Sequence, residues 1–388
     1  MGGTARLLVL LAVAAATEVA AASERFVPTD PNFVVASVRQ SLPDEKLLPL
    51  LVAWRADPSS TTPSVALAVA FMERARALRE PMFFGRAEAV LAPLASKPGA
   101  SAAVLRLYAG TLQYRHDFAA AEALLDVVLR DEAHDDDARL LRASVRLVRG
   151  NFDGARADCA QLAARGDGAA VPGFACLAEA LADGGNLDRG LALLDTVRVD
   201  QRTTDASASA YLLATRAELR ERGGDAAGAL LDYRAALKLA PRDDSIRAAL
   251  ADALTVNGKA GEARDILAID KPGLALLVRS VALVDGAERA ALVARVNSWL
   301  ALEVARGDKP HFREEALFAL ANGDSARALS AARRNFEIQK ELADVRVLAR
   351  AANAAHDPAA MSGLKVWLRE TGYRDSVTEG FLDERARS

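Results

Sequence analysis

The residues of this chain that could do chemistry are few and scattered. The four histidines, His116, His134, His311 and His356, are far apart, and none sits in an H-E-x-x-H helix of the kind that holds zinc. His116 and His356 fall in the same turn slot of their surroundings, which points to solvated turn residues rather than ligands. The run Asp131-Glu132-Ala133-His134-Asp135-Asp136-Asp137 offers carboxylates to a hard cation. It lacks the glycine and the spaced ligands of a calcium loop, and it precedes a helical stretch, where acids cap the chain and suit the helix dipole. Gly258-Lys259 lacks the upstream glycine and the following Ser or Thr of a phosphate loop. There is no G-x-S-x-G and no G-x-G-x-x-G after a strand. With no nucleophile–base pair and no metal set in view, the sequence points to no catalytic residue, no metal and no cofactor, and to a protein that is not an enzyme.

Cys159 and Cys176 are the only cysteines. An even pair in an oxidising compartment suggests a disulfide. Small buried cysteines also serve as ordinary core residues, and helix geometry can hold two of them too far apart to bond. Both readings stay open on the sequence.

What positions these residues is a beat of 34. Phe84, Phe118 and Phe152 are spaced by it, as are Ala87, Ala121 and Ala155, and Ala75, Ala109 and Ala143. With small slips it continues through Ala178 and Leu187, and it returns at Ala217, Ala229, Tyr233, Ala236 and Pro241. Ala251, Gly258 and Ala263 follow, then a weak unit near Lys271–Gly307, then Ala316, Gly323-Asp324 and Ala328, and finally Ala349, His356-Asp357 and Met361. About nine units result, and a fixed period of this length marks a solenoid or array.

Each unit reads as two helices. Ala210–Arg222 has no internal Gly or Pro, Gly223-Gly224-Asp225 supplies a stop and a cap, Ala226–Leu239 is the second helix, and Pro241 ends the unit. Leu213, Ala217, Leu219, Ala229, Tyr233, Ala236 and Leu237 recur at three- and four-residue steps, on one face. The alanines let paired helices approach to about 8–10 Å, and Tyr233 fills the space toward the next unit. No unit can bury its apolar face alone, so neighbours must stack.

These residues resemble the tetratricopeptide repeat (TPR) family. The match is best over Gly224-Asp225, Ala229, Tyr233, Ala236 and Pro241, and partial at Ala121 with Leu125, Ala155 with Cys159 and Ala263 with Leu267. It departs at Arg220, where the family often has Tyr, and only one unit has the full closing Pro. The resemblance implies an all-α fold: an α-solenoid of stacked antiparallel helix pairs wound into a right-handed superhelix. It also implies a scaffold that binds a protein or peptide in its concave groove. The family's carboxylate clamp is not matched, since Arg106 is followed by Gly110 where Asn is needed. An accessory role in a periplasmic small-molecule or metal-handling process is the second function class left open.

Composition agrees with a helical protein. Aromatic residues make up 5%, and net charge −3 with 26% charged residues lacks the basic footprint of a nucleic-acid binder. No segment approaches the roughly 18–20 apolar residues of a membrane span. Met1–Arg6, the apolar run Leu7–Ala16 and Ala20-Ala21-Ala22 form the three parts of a cleavable signal peptide, with the mature chain starting at Ser23 in the periplasm or the medium. The expected organisation is a signal peptide over 1–22, a Pro-rich helical cap over 23–67, a repeat array over 68–271, and degenerate repeats with a C-terminal cap over 272–388.

In TPR-like arrays the first helices line the groove. By register the groove residues are Arg76, Arg79, Arg106, Gln113 and Tyr114 early, and Glu179, Asp183, Glu218, Glu221 and Asp252 in the middle, with Arg222 opposing. Arg313, Arg346 and Arg350 come later. The expectation is a set of solvated faces in basic–acidic–basic order, suited to an elongated partner of complementary charge.

Overall fold

The computed structural model describes residues 45–78, 80–165, 170–197, 205–306 and 309–383. The signal peptide and nearly all of the Pro-rich segment ahead of residue 45 lie outside the described residues. Lys46–Ser388 forms one unit.

That unit is built of helices, with no strand among the described residues. A leading helix, α1 (Leu47–Ala56), is followed by helix pairs. These are α2 (Thr61–Leu78) with α3 (Met82–Ala95), α4 (Ala102–Tyr114) with α5 (Phe118–Asp131), and α6 (Asp136–Val148) with α7 (Phe152–Ala163). Next come α8 (Ala170–Asp183) with α9 (Leu187–Thr196), α10 (Ala206–Arg222) with α11 (Ala226–Leu239), and α12 (Asp244–Val256) with α13 (Ala260–Leu267). The last three are α14 (Leu274–Val281) with α15 (Gly286–Arg306), α16 (Phe312–Ala321) with α17 (Ser325–Ile338), and α18 (Leu342–Ala354) with α19 (Pro358–Thr371). The short α20 (Ser376–Leu382) ends the chain's described part. The first repeat therefore starts at Thr61, ahead of the boundary expected at residue 68. The weak seventh unit is a pair of unequal helices, a short α14 against a long α15.

The 34-residue beat is the beat of the helix seams. Ala109, Ala143, Ala178, Ala217, Ala316 and Ala349 on first helices are fully buried, and so are Ala87, Ala121, Ala155, Ala229, Ala263 and Ala328 on second helices. In the fourth pair even alanine is too large. A Cβ built on Gly190 would stand 2.5 Å from the Ala178 carbonyl oxygen, so only glycine permits that approach. Larger residues fill the space between pairs: Leu125, Tyr233 and Leu267 are all buried. The turns follow the expected chemistry. Gly224 is left-handed (φ 88), and the Asp225 carboxylate accepts from Gly228 N at 2.9 Å. Asp135, from the acidic run, likewise caps α6 by accepting from Ala138 N at 2.9 Å.

Buried ion pairs tie the two helices of a pair together. Arg216 and Arg220 both donate to Asp232, the latter at 2.6 Å, so the arginine standing at the family's tyrosine position has its own partner. Arg142 and Arg146 make the same arrangement with Asp158 in the third pair. Cys159 on α7 and Cys176 on α8 are disulfide-bonded, with Cα atoms 5.4 Å apart, a separation the bond requires. The bridge joins the third pair to the fourth.

Closing a loop of this length restricts the unfolded chain, so replacing both cysteines with serine should lower the unfolding free energy by about 3 kcal/mol. Urea denaturation of the oxidised wild type and the double variant measures it, and coincident curves would count against a stabilising role.

Candidate partner-binding surface and the seam that closes it

Seven of the nine pairs turn over at a left-handed residue in one recurring slot: His116 (φ 59), Gly150 (φ 78), Gly185 (φ 86), Gly224 (φ 88), Gly258 (φ 72), Gly323 (φ 75) and His356 (φ 48). The first four of these turns, in the second to fifth pairs, meet the loops between the C-terminal pairs. His116 is therefore not the solvated turn residue its slot suggested. Its ring stacks on Phe118, meets the edge of His311 at 5.3 Å between centroids, and lies with Nδ1 3.4 Å from Gln339 Nε2. Burial, then the nearby His311, holds it down at about 4, so it is neutral at physiological pH. Beside it Lys309 pairs with Asp117 at 3.3 Å.

One turn further on, Lys340 N donates to the Val148 carbonyl at 2.8 Å. At the next turn two glycine backbones touch. A Cβ on Gly185 would stand 2.9 Å from Thr371 O and 3.1 Å from Gly372 Cα, so both positions must be bare. Trp367 on α19 reaches across to Phe152 and packs with Phe336 and Tyr373.

The fourth contact is the most polar. The Arg222 guanidinium is completely buried. It donates to Asp183 Oδ1 at 2.6 Å, to Ala182 O at 3.1 Å and to Arg374 O at 3.0 Å, and its Cζ lies 3.9 Å from the centre of the Tyr373 ring. Arg346 on α18 bridges Glu221, at 2.8 Å, and Asp375, which it meets with two nitrogens at 3.0 and 2.8 Å. Asp375 in turn caps α20 through Thr378 N and Thr378 Oγ1. Burial alone would raise the Asp375 carboxyl, but the Arg346 hydrogen bonds and charge, with Thr378, bring it below the ordinary value.

The middle acids thus face the chain's own C-terminal repeats. Asp183 and Glu221 are buried, which corrects the expectation of solvated faces. Glu179 and Glu218 are half-buried beside them, and Tyr211 donates to Glu179 at 3.1 Å. Burial, then the charges of Glu218 and Asp183, pushes Glu179 far up. Burial raises Glu218 to about 8; Arg222 and Arg346 pull it down, while Asp183 and Glu341 push it up. Asp252 pairs with Arg279 at 2.7 Å. Arg313 is taken up by Asp344, at 2.5 and 2.9 Å, and by Glu341. Arg350 sits near Asp252 and Arg279.

The early residues have a different fate. Arg106 pairs with Asp135 and Asp137 of the next pair, and Gln113 is half-buried. Arg79 lies outside the described residues. Arg76 and Tyr114 are exposed and joined by Phe84, whose ring stacks on Tyr114 at 3.9 Å and carries the Arg76 guanidinium 5.8 Å from its centre. Trp367, Tyr373 and Asp375 were not among the residues expected from sequence. The signal available for them was a Trp in the last repeat and a Gly-Tyr just past it, in a chain poor in aromatics.

Removing Arg222 should leave Asp183 buried without its cation. Arg222→Met is expected to cost about 3–5 kcal/mol in denaturant, with Asp183→Asn in the same background recovering part of it. Equal stability of wild type and Arg222→Met would show that the seam does not hold the array. The acids give a pH signature. Glu218 titrates near 8 in the folded chain against an ordinary 4.5, so the folded state holds a proton that the unfolded state releases. Stability from this group is therefore full below pH 4.5 and is lost as pH rises toward 8. Glu218→Gln should flatten that fall in a series of denaturation curves, and an unchanged slope would remove Glu218 from the account.

No protein-family profile matches the sequence, and no curated protein matches it. Among solved structures the chain is similar to a thermophilic TPR protein of Thermus thermophilus, at 22% identity over 52% of this chain and 100% of that one, with a TM-score of 0.38. It is also similar to a tetratricopeptide repeat protein from Parabacteroides merdae, at 13% identity over 73% of this chain and 98% of that one, TM-score 0.40. A third likeness is to the APC/C hetero-tetramer Cut9-Hcn1, at 13% identity and TM-score 0.41, over 79% of this chain and 52% of that one. The fold itself rests on this chain's own helix pairs and their buried alanine seams: an all-α solenoid of stacked, TPR-like hairpins.

Proposed function

We propose that this protein is a non-enzymatic, exported scaffold that binds a protein or peptide partner. The observation that carries the reading is how its reactive side chains are used. His116 and His311 pack against each other, and the acids and arginines of the middle and C-terminal repeats neutralise one another across the seam. These groups hold a surface in shape. The residues that stay presented are Arg76, Phe84 and Tyr114 on the first two pairs, the basic early part of the expected groove. Glu179, Asp183, Glu218 and Glu221 would meet an outside partner only where the C-terminal repeats give way.

Export is supported by two independent features. The first 22 residues have the charge, apolar run and small-residue site of a signal peptide. The bonded Cys159–Cys176 pair suits an oxidising compartment, where disulfides persist. No helix among the described residues is long and apolar enough to cross a membrane. We place the mature protein in the periplasm or the medium.

The mass of the protein recovered from the cell envelope or medium should correspond to a chain starting at Ser23 or within a residue or two of it. A full-length mass carrying Met1–Ala22, or a purely cytoplasmic distribution, would remove export from the reading. Chemical cross-linking of the mature protein in its own envelope extract should yield a discrete heteromeric adduct. Only uncross-linked protein, across cross-linkers of several lengths, would argue against a scaffold.

A further inference from the structure

The acids and arginines of the seam do not balance. Asp183 is met by Arg222, Glu221 and Asp375 by Arg346, and Glu341 and Asp344 by Arg313. Glu179 on α8 and Glu218 on α10 are left over. Glu179 accepts from the Tyr211 hydroxyl at 3.1 Å, Glu218 makes no hydrogen bond, and neither makes an ion pair among the described residues. The two carboxyls are neighbours, since Glu218 and then Asp183 are the charges that weigh most on Glu179, with no cation among the strongest. Around Glu218 stand Glu179 and Asp183 from α8, Tyr211 and Arg222 from its own helix, and Tyr233 from α11. Glu341 and Arg346 of α18 and its cap, and Tyr373 beyond α19, complete the surroundings. Glu179 and Glu218 are both half-buried, so solvent still reaches them.

Two carboxyls without a cation say by themselves only that the pair holds protons. Tyr373 adds an independent observation. It is 3% exposed, and its hydroxyl is sealed from solvent with no hydrogen-bond partner. The acids acting most strongly on that hydroxyl are Asp183 and Glu218. Buried hydroxyls are nearly always spent on a partner. Asp183 is already taken by Arg222, so an unspent donor facing Glu218 fits a carboxyl that ionises in a second state, with a cation in place of its proton. The arrangement also limits the cation. No three His, Cys, Asp or Glu side chains among the described residues stand close enough to share a metal ion. Two separate carboxylates suit instead the diverging N–H donors of an ammonium group. The C-terminal repeats lie over these acids, which leaves access to a small molecule rather than to a polypeptide.

We infer that Glu179 and Glu218, backed by the Tyr373 hydroxyl, form a binding site for the primary ammonium group of a small organic amine. The site is independent of the scaffold reading above. On binding, the ammonium donates to both carboxylates, the proton held by Glu218 passes to solvent, and the Tyr373 hydroxyl donates to the carboxylate so formed.

Isothermal titration calorimetry of the mature full chain with 1,4-diaminobutane tests it. Binding should be saturable at one site. Buffers of different ionisation enthalpy count the protons, and about one should be released at pH 7, because Glu218 titrates near 8 without the amine. Affinity should rise by up to about tenfold per pH unit and level off above pH 8. Glu218→Gln should abolish the proton release and weaken binding by about tenfold or more, and Tyr373→Phe should weaken it by about tenfold. Both substitutions preserve shape, Tyr373→Phe keeps the ring beneath Arg222, and circular dichroism with urea denaturation checks each fold. The bis-trimethylammonium derivative, equal in charge but without N–H groups, should bind far more weakly, and calcium chloride should not compete. No binding of 1,4-diaminobutane at pH 8, equal binding of its methylated derivative, displacement by calcium, or undiminished affinity in either folded variant would overturn the inference. Tighter binding of acetyl-Gly-Lys-Gly-amide than of the free amine would overturn the assignment to a small molecule. The cross-linking result in the envelope extract bears on the scaffold alone, so the two readings fail separately.

Discussion

The structure depends on one buried cation. Arg222 has lost all contact with water, and a guanidinium in that state is tolerated only when its charge and its N–H groups are met. They are met from two places at once: Asp183 and Ala182 at the end of α8, and the Tyr373–Arg374 stretch beyond α19. The first belongs to the neighbouring pair in the array. The second arrives only after the last pair has come round to the middle. Half of this arrangement would be worse than none, since a carbonyl or ring withheld would leave a dehydrated charge. The set therefore favours two states, closed with every partner in place or open with the charges in water, and little between them.

This casts the sorted charge of the sequence in a new role. A basic, then acidic, then basic order along a solenoid suggests an external strand of opposite charge. Here the acidic middle is answered by the chain's own later arginines, Arg346 above all. Complementarity of this kind is read within the molecule, and it leaves a surplus of carboxylate around Glu179 and Glu218 that burial keeps protonated. At the early, basic end of the array, by contrast, Arg76 faces solvent over an aromatic pair.

How much was legible in the residues follows from what is local. The alanine beat, the turn glycines, the capping aspartates and the pairing of helices are decided within a few dozen residues, and each appears where the pattern places it. The sequence also singled out Asp183, Glu221, Arg222 and Arg346, but as residues of an open groove. It could not show that they meet, because Arg222 and Arg374 are 152 positions apart and their encounter depends on the summed rotation of every pair between them. A small change of crossing angle in each hairpin would leave the local pattern intact and the seam apart. The same reason hid Trp367, late in the last helix of the array, and Tyr373, just past it, which have no period to announce them. The cysteines were ambiguous for a simpler cause: their spacing is compatible with bonding, and only the approach of α7 to α8 decides it.

An open solenoid tolerates the gain or loss of units, since each one touches only its neighbours and the chain merely becomes longer or shorter. Backbone contact between Gly185 and Gly372 ends that freedom here. Everything between those two glycines must sum to a fixed rotation and rise, so a unit duplicated or deleted inside the interval would carry the second glycine to the wrong turn. Units added ahead of the first pair would meet no such restriction. The molecule is in that sense a ring with a counted circumference and one extensible end. Divergence in repeat number among proteins built this way should accumulate on the N-terminal side.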